Sequence, residues 1–157
     1  MNTSFQFVAL PSEPFAPLFS LTDAELQAID ARRMVVIEKP GTPCRVSLAD
    51  AEVGETVVLV PFTHHDVSSP YRASRPIFVR SGVRMAIPAV DEIPAMLGHR
   101  LLSVRGYDAA AIMVGTEVVD GSKLDDAIRR LFTRESISYL HIHNAGAGCY
   151  NCRVVRA

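Results

Sequence analysis

The sequence is poor in the features that mark secreted and membrane proteins. It has no tryptophan and only three cysteines, Cys44, Cys149 and Cys152. A small, odd number of cysteines favours a reducing cytosol over a disulfide-stabilised secreted domain. The first residues lack the basic segment and apolar run of a secretory signal, and the longest aliphatic run, residues 109–114, is far shorter than the roughly 18 residues of a membrane-spanning helix. We therefore expect a cytoplasmic protein with no membrane partner.

An excess of charge of either sign is also missing. Lys and Arg number 16 and Asp and Glu number 17, which gives a net charge of −1. A nucleic-acid surface needs a basic excess and aromatic side chains for stacking, so we expect no nucleic-acid partner. Of the basic residues 14 are Arg and 2 are Lys, a bias that favours a bacterial source with GC-rich DNA.

Composition and length are those of an ordinary globular domain. Hydrophobic residues make up 48% and charged residues 21% of the 157 residues, which argues against extensive disorder. A chain of this length buries a core without the help of a metal ion or a disulfide. The motifs of phosphate loops, dinucleotide-binding folds and nucleophile elbows are absent from the sequence. We predict one domain over residues 1–157, and the sequence indicates no particular cofactor.

Three segments have the pattern of a helix. Thr22 and Glu25 form a capping box, which predicts a helix over residues 22–30. A second, shorter helix is expected over residues 91–97. The third begins at Ser122, and its apolar residues recur at the i, i+3, i+4 spacing of one helix face: Leu124, Ala127, Ile128, Leu131 and Phe132.

Short apolar or alternating segments between turn residues predict the strands. They lie at residues 5–10, 34–37, 44–48, 55–62, 77–80, 83–87, 101–107, 112–119, 137–143 and 152–155. These elements do not alternate as β–α–β units, so the predicted fold class is α+β: a single domain with a mixed, largely antiparallel sheet and about three helices packed on it. Residues 63–74, which are polar and contain His64-His65-Asp66, are predicted to form a long functional loop.

The residues that most strongly indicate a site lie near the C-terminus. On a strand with a period of two residues, Leu140 and Ile142 face the core, and His141 and His143 share the opposite face with Tyr139. Two imidazoles on one strand face lie close enough to act on one ligand. We therefore predict that His141 or His143 acts as a general base or acid.

The loop after this strand contains two glycines and returns Cys149, a further catalytic candidate, towards the strand end. Asn144 and the amides of residues 146–149 are candidates to stabilise developing negative charge. Cys149-x-x-Cys152 also permits a redox pair, but Cys152 opens a strand and not the helix that thioredoxin-type pairs use.

A metal site is a further interpretation of the same segment. His141, His143, Cys149 and Cys152 are residue types that bind zinc. The usual structural zinc site has paired short Cys or His motifs, and only one such motif is present here. We therefore assign no metal ligands and keep a His/Cys metal site as an alternative.

Polar residues in two earlier segments are candidates for ligand binding. Cys44 and Arg45 follow a Pro-Gly-Thr-Pro turn. Cys44 is either a nucleophile or a small buried side chain, which is the commoner fate of a free cysteine. Tyr71, Arg72 and Ser74 offer hydrogen-bond donors suited to a carboxylate or phosphate.

Residues 41–48 (GTPCRVSL), 69–80 (SPYRASRPIFVR) and 139–150 (YLHIHNAGAGCY) closely resemble segments of an uncharacterised bacterial family, domain of unknown function 1203. The resemblance implies a small single-domain bacterial protein and supplies no activity. Members of the family that this sequence resembles often have Ala at the position of Cys152, which weakens any mechanism that needs the Cys149–Cys152 pair. They also tend to have Gly at the position of Arg75. The polar residues shared with the family are Cys44, Arg45, Tyr71, Arg72, Ser74, His141, His143, Asn144 and Cys149.

Two hypotheses of different classes follow, besides the metal site. The first is a site for a small anionic molecule, enzymatic if the histidines transfer protons, in which Arg45 and Arg72 hold the anionic group. The second is a non-catalytic binding or self-association module, in which a homo-oligomer forms through the same cleft or through an exposed sheet edge at residues 153–157.

Overall fold

Two antiparallel sheets form the framework of the protein, whose computed structural model describes residues 3–157. The strands are β1 Phe5–Val8, β2 Arg32–Val35, β3 Thr56–His65, β4 Ala73–Arg80, β5 Leu101–Tyr107, β6 Met113–Asp120, β7 Tyr139–Asn144 and β8 Tyr150–Arg156. The first sheet has five strands in the order β1-β8-β7-β5-β6, and the second has three in the order β2-β3-β4. All named strand pairs are antiparallel.

Two α-helices, α1 Asp23–Ala28 and α2 Leu124–Phe132, begin where the sequence predicts helices. The capping box is present, because Thr22 Oγ1 accepts from the amide of Glu25 at 3.1 Å and the Glu25 carboxylate accepts from the amide of Thr22. The predicted apolar face of α2 is buried and packs in one core with the inner face of the five-stranded sheet. Short 3₁₀ turns span Ala16–Ser20, Ala95–Leu97 and Gly121–Lys123.

The prediction of a third helix over residues 91–97 is wrong. Only the 3₁₀ turn at its end forms. Asp91 has a positive φ of 62°, and its carboxylate accepts from the backbone amide of Phe5 at 3.0 Å and from the hydroxyl of Ser4. The side chain expected to cap a helix therefore ties this segment to the start of β1.

Two predicted strands are also absent from the described residues. Residues 44–48 form a turn, in which the Leu48 amide donates to the Cys44 carbonyl at 3.0 Å and Leu48 has a positive φ of 52°. Residues 83–87 form no strand either. The strands form two sheets and not the single sheet that the sequence predicts. The prediction of an exposed sheet edge at residues 153–157 is wrong for residues 153–156, because β8 pairs with both β1 and β7.

The two sheets meet where the end of β3 lies over the five-stranded sheet. Leu140 and Ile142 of β7 point into the core shared with α2, and both are fully buried. The opposite face of β7 packs against the end of β3. Within residues 3–157 no helix is long and apolar enough to cross a membrane.

Candidate functional site

Four histidines lie together between the two sheets and form what we call the histidine cluster: His64, His65, His141 and His143. The ring centroids of His64 and His143 are 5.0 Å apart, those of His64 and His141 6.1 Å, and those of His65 and His141 4.9 Å. His141 is 3% exposed and His143 is fully buried. The two β7 histidines therefore face a second layer of protein.

His64 and His65 lie in β3 and not in the loop that the sequence predicts. Successive residues of a regular strand point to opposite faces. The register between β3 and β4 shifts between Phe62 and His65, and such an irregularity re-aims side chains locally. This local bend brings two consecutive imidazoles into the same cluster.

The four histidines of the cluster differ in their hydrogen bonds: in one both ring nitrogens have a partner, and in the other three one ring nitrogen has none among the described residues. Both ring nitrogens of His65 are engaged, Nδ1 with the Tyr71 carbonyl at 2.8 Å and Nε2 with the Tyr139 hydroxyl at 2.7 Å. Nδ1 of His64, Nδ1 of His141 and Nε2 of His143 are sealed from solvent and have no partner within the described residues. Buried polar atoms normally have partners, so three exceptions in one cluster point to a functional site.

The tautomer of His143 follows from its one hydrogen bond. Its Nδ1 lies 2.9 Å from the carbonyl oxygen of Gly148. A carbonyl oxygen only accepts, so Nδ1 carries the proton and Nε2 is left with an accepting lone pair.

Burial keeps three imidazoles of the cluster neutral. It lowers the pKa of His64 to about 4, that of His141 to about 2 and that of His143 to about 3. Neighbouring histidines and arginines lower these pKa values further, because a positive charge nearby disfavours a second one. At neutral pH these rings are hydrogen-bond acceptors, and they become general acids only if a ligand's negative charge raises their pKa.

Three arginines that the sequence analysis did not place in the site surround the cluster: Arg75, Arg105 and Arg153. Within residues 3–157 none has a carboxylate within 4.0 Å of its guanidinium. The Arg105 Nε donates to Ser103 Oγ at 3.2 Å, and the Arg153 guanidinium lies 4.3 Å from the centre of the Tyr139 ring. Their convergence depends on strand pairing, which the sequence pattern does not specify.

A cavity of about 430 Å³ opens beside the cluster. It is lined by Val8, Ala9, Leu10, His64, His65, Asp66, Val67, Ala109, Ala111, Tyr139, His141, Tyr150 and Arg153. A cleft of about 490 Å³ at α1 is larger, but Asp23 and Arg33 in its wall pair with each other. The cavity beside the cluster is the one that combines an apolar wall with several imidazole and phenol groups.

The two arginines predicted to hold an anion do not line this cavity. Arg45 is 2% exposed, and its guanidinium donates to the Tyr150 carbonyl at 2.7 Å and to the Pro43 carbonyl. Burial lowers its pKa to about 10. Arg72 forms an exposed ion pair with Asp66. In this structure Arg45 therefore binds backbone carbonyls, and Arg72 neutralises a surface carboxylate.

The remaining polar candidates are spread around the cluster. Cys44 is fully buried in an apolar cluster, where its sulfur accepts from the Arg80 amide at 3.4 Å. Tyr71 is exposed, and Ser74 pairs with Thr63 Oγ1 at 2.9 Å on the surface. The Asn144 side-chain oxygen accepts from the side-chain amide of Asn151 at 2.8 Å.

Of the two C-terminal cysteines, Cys152 lies on the face of the sheet away from the histidines, whereas Cys149 directly follows Gly148, whose carbonyl accepts a hydrogen bond from His143 Nδ1. Cys149 is partly exposed, Cys152 is buried, and both are free thiols. Cys152 packs in the core with Leu140 and Ile142, on the face of the sheet opposite His141 and His143. Among residues 3–157 no group of three or more His, Cys, Asp or Glu side chains is placed to hold a metal ion.

The chain is an α+β protein with two antiparallel sheets. Between the sheets lies a cluster of histidines, with arginines that have no ion-pair partner among the described residues beside it. Residues 41–156 match the family described as Protein of unknown function (DUF1203), and the chain belongs to that family. The resemblance found in the sequence is thereby confirmed. No curated protein and no solved structure matches the chain.

Proposed function

We propose that the protein binds a small organic anion in the cavity beside the histidine cluster. The observation that carries this proposal is the charge of the cavity wall. Its charged residues are Asp66 and Arg153, and Asp66 is already neutralised by Arg72. Among the described residues no carboxylate lies within 4.0 Å of the Arg153 guanidinium, so the wall offers one uncompensated positive charge. A ligand carboxylate is the natural partner of such a guanidinium.

The rest of the wall suits the body of a small ligand. About 430 Å³ lies in the size range of small-molecule sites, and such sites combine apolar walls with a few polar groups. Val8, Leu10 and Val67 provide apolar surface, and the Tyr139 and Tyr150 rings provide flat faces. We expect a ligand with a planar or apolar body and one anionic group.

The imidazoles favour binding over proton transfer as the function of the site. A ring whose pKa is about 2, as for His141, is a neutral imidazole with one N–H at neutral pH and is a weak base. It still accepts a hydrogen bond from a ligand hydroxyl or amine. Acid–base catalysis by His141 requires that the bound anion first raise its pKa.

Benzoate tests the proposal, with benzamide as its neutral counterpart of the same shape. Titration of the ¹⁵N-labelled protein, followed by NMR, is expected to give a dissociation constant on the order of 1 mM for benzoate. Benzamide should bind at least about tenfold more weakly, because it lacks the charge that Arg153 pairs. Shifted amides should belong to the residues that line the cavity.

Two variants provide the matched comparison. Arg153→Gln should lose benzoate binding, whereas Arg84→Gln, which removes the same charge from an exposed residue outside the cavity, should keep it. Equal binding of benzoate and benzamide, or equal losses in the two variants, would contradict the proposal.

A further inference from the structure

We propose that the protein has a second anion site, between Arg75, Arg105 and His143, and that this site takes a phosphate group that carries a proton. None of these three residues lines the cavity described above. The second site therefore stands on observations of its own, and its failure would leave the cavity proposal intact.

Strand pairing brings Arg105 to His143. Ser103 of β5 is the register partner of His143 in β7, and side chains of directly opposed residues start about 5 Å apart. Arg105 lies two residues further along the same face, and its Nε donates to Ser103 Oγ at 3.2 Å. This hydrogen bond holds the Arg105 side chain beside Ser103, the register partner of His143, while its guanidinium also interacts with the Tyr107 hydroxyl.

The glycine loop brings Arg75 to the same place. The Gly148 carbonyl accepts the hydrogen bond of His143 Nδ1. A Cβ added at Gly148 would lie 3.7 Å from Nη2 of Arg75, so the guanidinium lies against the residue that orients His143. Gly148 has a φ of 80°, a conformation that side chains with a Cβ rarely adopt. Glycine therefore permits both the turn and the close approach.

The charges around His143 are uncompensated. Both guanidiniums lie close enough to lower the pKa of this ring, and two cations held near each other repel. Among residues 3–157 neither guanidinium has a carboxylate within 4.0 Å, and Asp66 of the adjoining cavity already pairs with Arg72. Two unpaired guanidiniums with their planar donors are well suited to bind the oxygens of a phosphate group.

His143 adds a preference between oxyanions. Its Nε2 is sealed from solvent and has no partner in the described part of the chain, and it can accept a hydrogen bond because the proton of the ring is on Nδ1. Inorganic phosphate near neutral pH retains an O–H that can donate to Nε2, whereas sulfate has no proton to give. Sulfate leaves the buried acceptor unpaired, and such mismatches discriminate strongly between ligands.

Calorimetric titration with inorganic phosphate and with sulfate tests this site. The protein is dialysed against EDTA, and chloride keeps the ionic strength constant at pH 7. Phosphate should bind at least about tenfold more tightly than sulfate. Equal affinity for the two anions, or no phosphate binding, would overturn the proposal. Because this comparison uses the unaltered protein, it holds even if a variant does not fold.

A double variant locates the binding. Arg75→Gln with Arg105→Gln should abolish phosphate binding, whereas Arg32→Gln with Arg84→Gln, which removes two exposed arginines that hold no ion pair among the described residues, should retain it. Equal loss in both double variants would mean general electrostatic attraction and would refute the site. Benzoate binding should survive in the first double variant, and phosphate binding should survive in Arg153→Gln. The two proposals can therefore fail separately.

Discussion

Lowering the pH from 7 to 5 should destabilise this protein through three histidines of the cluster. His64, His141 and His143 have pKa values of about 4, about 2 and about 3 in the folded chain, against 6.5 for an ordinary histidine. The unfolded chain therefore binds protons in this pH range and the folded chain does not. The stability that these rings contribute is full above pH 6.5 and is lost as the pH falls.

The loss in the free energy of unfolding depends on how far the pH falls below 6.5, the pKa of a histidine in the unfolded chain. At pH 5 each histidine favours the unfolded chain by about 2 kcal/mol, from 1.36 kcal/mol for each pH unit, so the three together contribute about 6 kcal/mol. Carboxylates with ordinary or lowered pKa values remain ionised at pH 5 and contribute little. Urea unfolding at pH 7 and pH 5 measures the difference directly.

A variant separates the histidines from other acid effects. His143→Leu should lower stability at pH 7 but lose only about 4 kcal/mol between pH 7 and pH 5, two-thirds of the loss of the unaltered protein. Arg84→Gln, which changes an exposed residue outside the cluster, should retain the full loss. A pH dependence that is the same in His143→Leu as in the unaltered protein would refute the reasoning.

Three further changes test the fold around the site, each by urea unfolding at pH 7. Arg45→Met leaves two backbone carbonyls without their guanidinium donor and should cost about 3 kcal/mol; no loss would show that these bonds add nothing. Gly121→Ala places a Cβ 1.9 Å from a backbone carbonyl and should cost about 3 kcal/mol, whereas Gly146→Ala meets nothing within 4 Å and should stay within about 0.5 kcal/mol. Thr22→Ala removes the capping box and should cost about 1 kcal/mol; an unchanged midpoint would contradict that.

Local patterns predicted much of what lies within a single element. The alternation of β7 separates Leu140 and Ile142, which are in the core, from His141 and His143, which are in the cluster. The apolar spacing of α2 and the capping box of α1 were also confirmed. Each of these patterns depends on residues a few positions apart, so the sequence carries them directly.

The contacts that build the site are long-range, and the sequence pattern does not contain them. Arg105 reaches His143 only because β5 pairs with β7 in one register, and Arg75 arrives from the other sheet. Arg45 has the residue type of an anion ligand, yet its hydrogen bonds to backbone carbonyls hold it in the interior. Asp91 failed as a helix cap because the amide of Phe5, 86 positions away, binds its carboxylate.

Neutral imidazoles with free lone pairs lie beside arginines that have no carboxylate partner among residues 3–157, and we propose that anions bind there. The ¹⁵N NMR spectrum of the imidazole rings at pH 7, recorded alone and with benzoate or phosphate, tests this proposal. We expect His64, His141 and His143 to show one unprotonated ring nitrogen each, with benzoate shifting His64 and His141 and phosphate shifting His143. Doubly protonated rings in the free protein, or resonances that neither anion moves, would contradict the account.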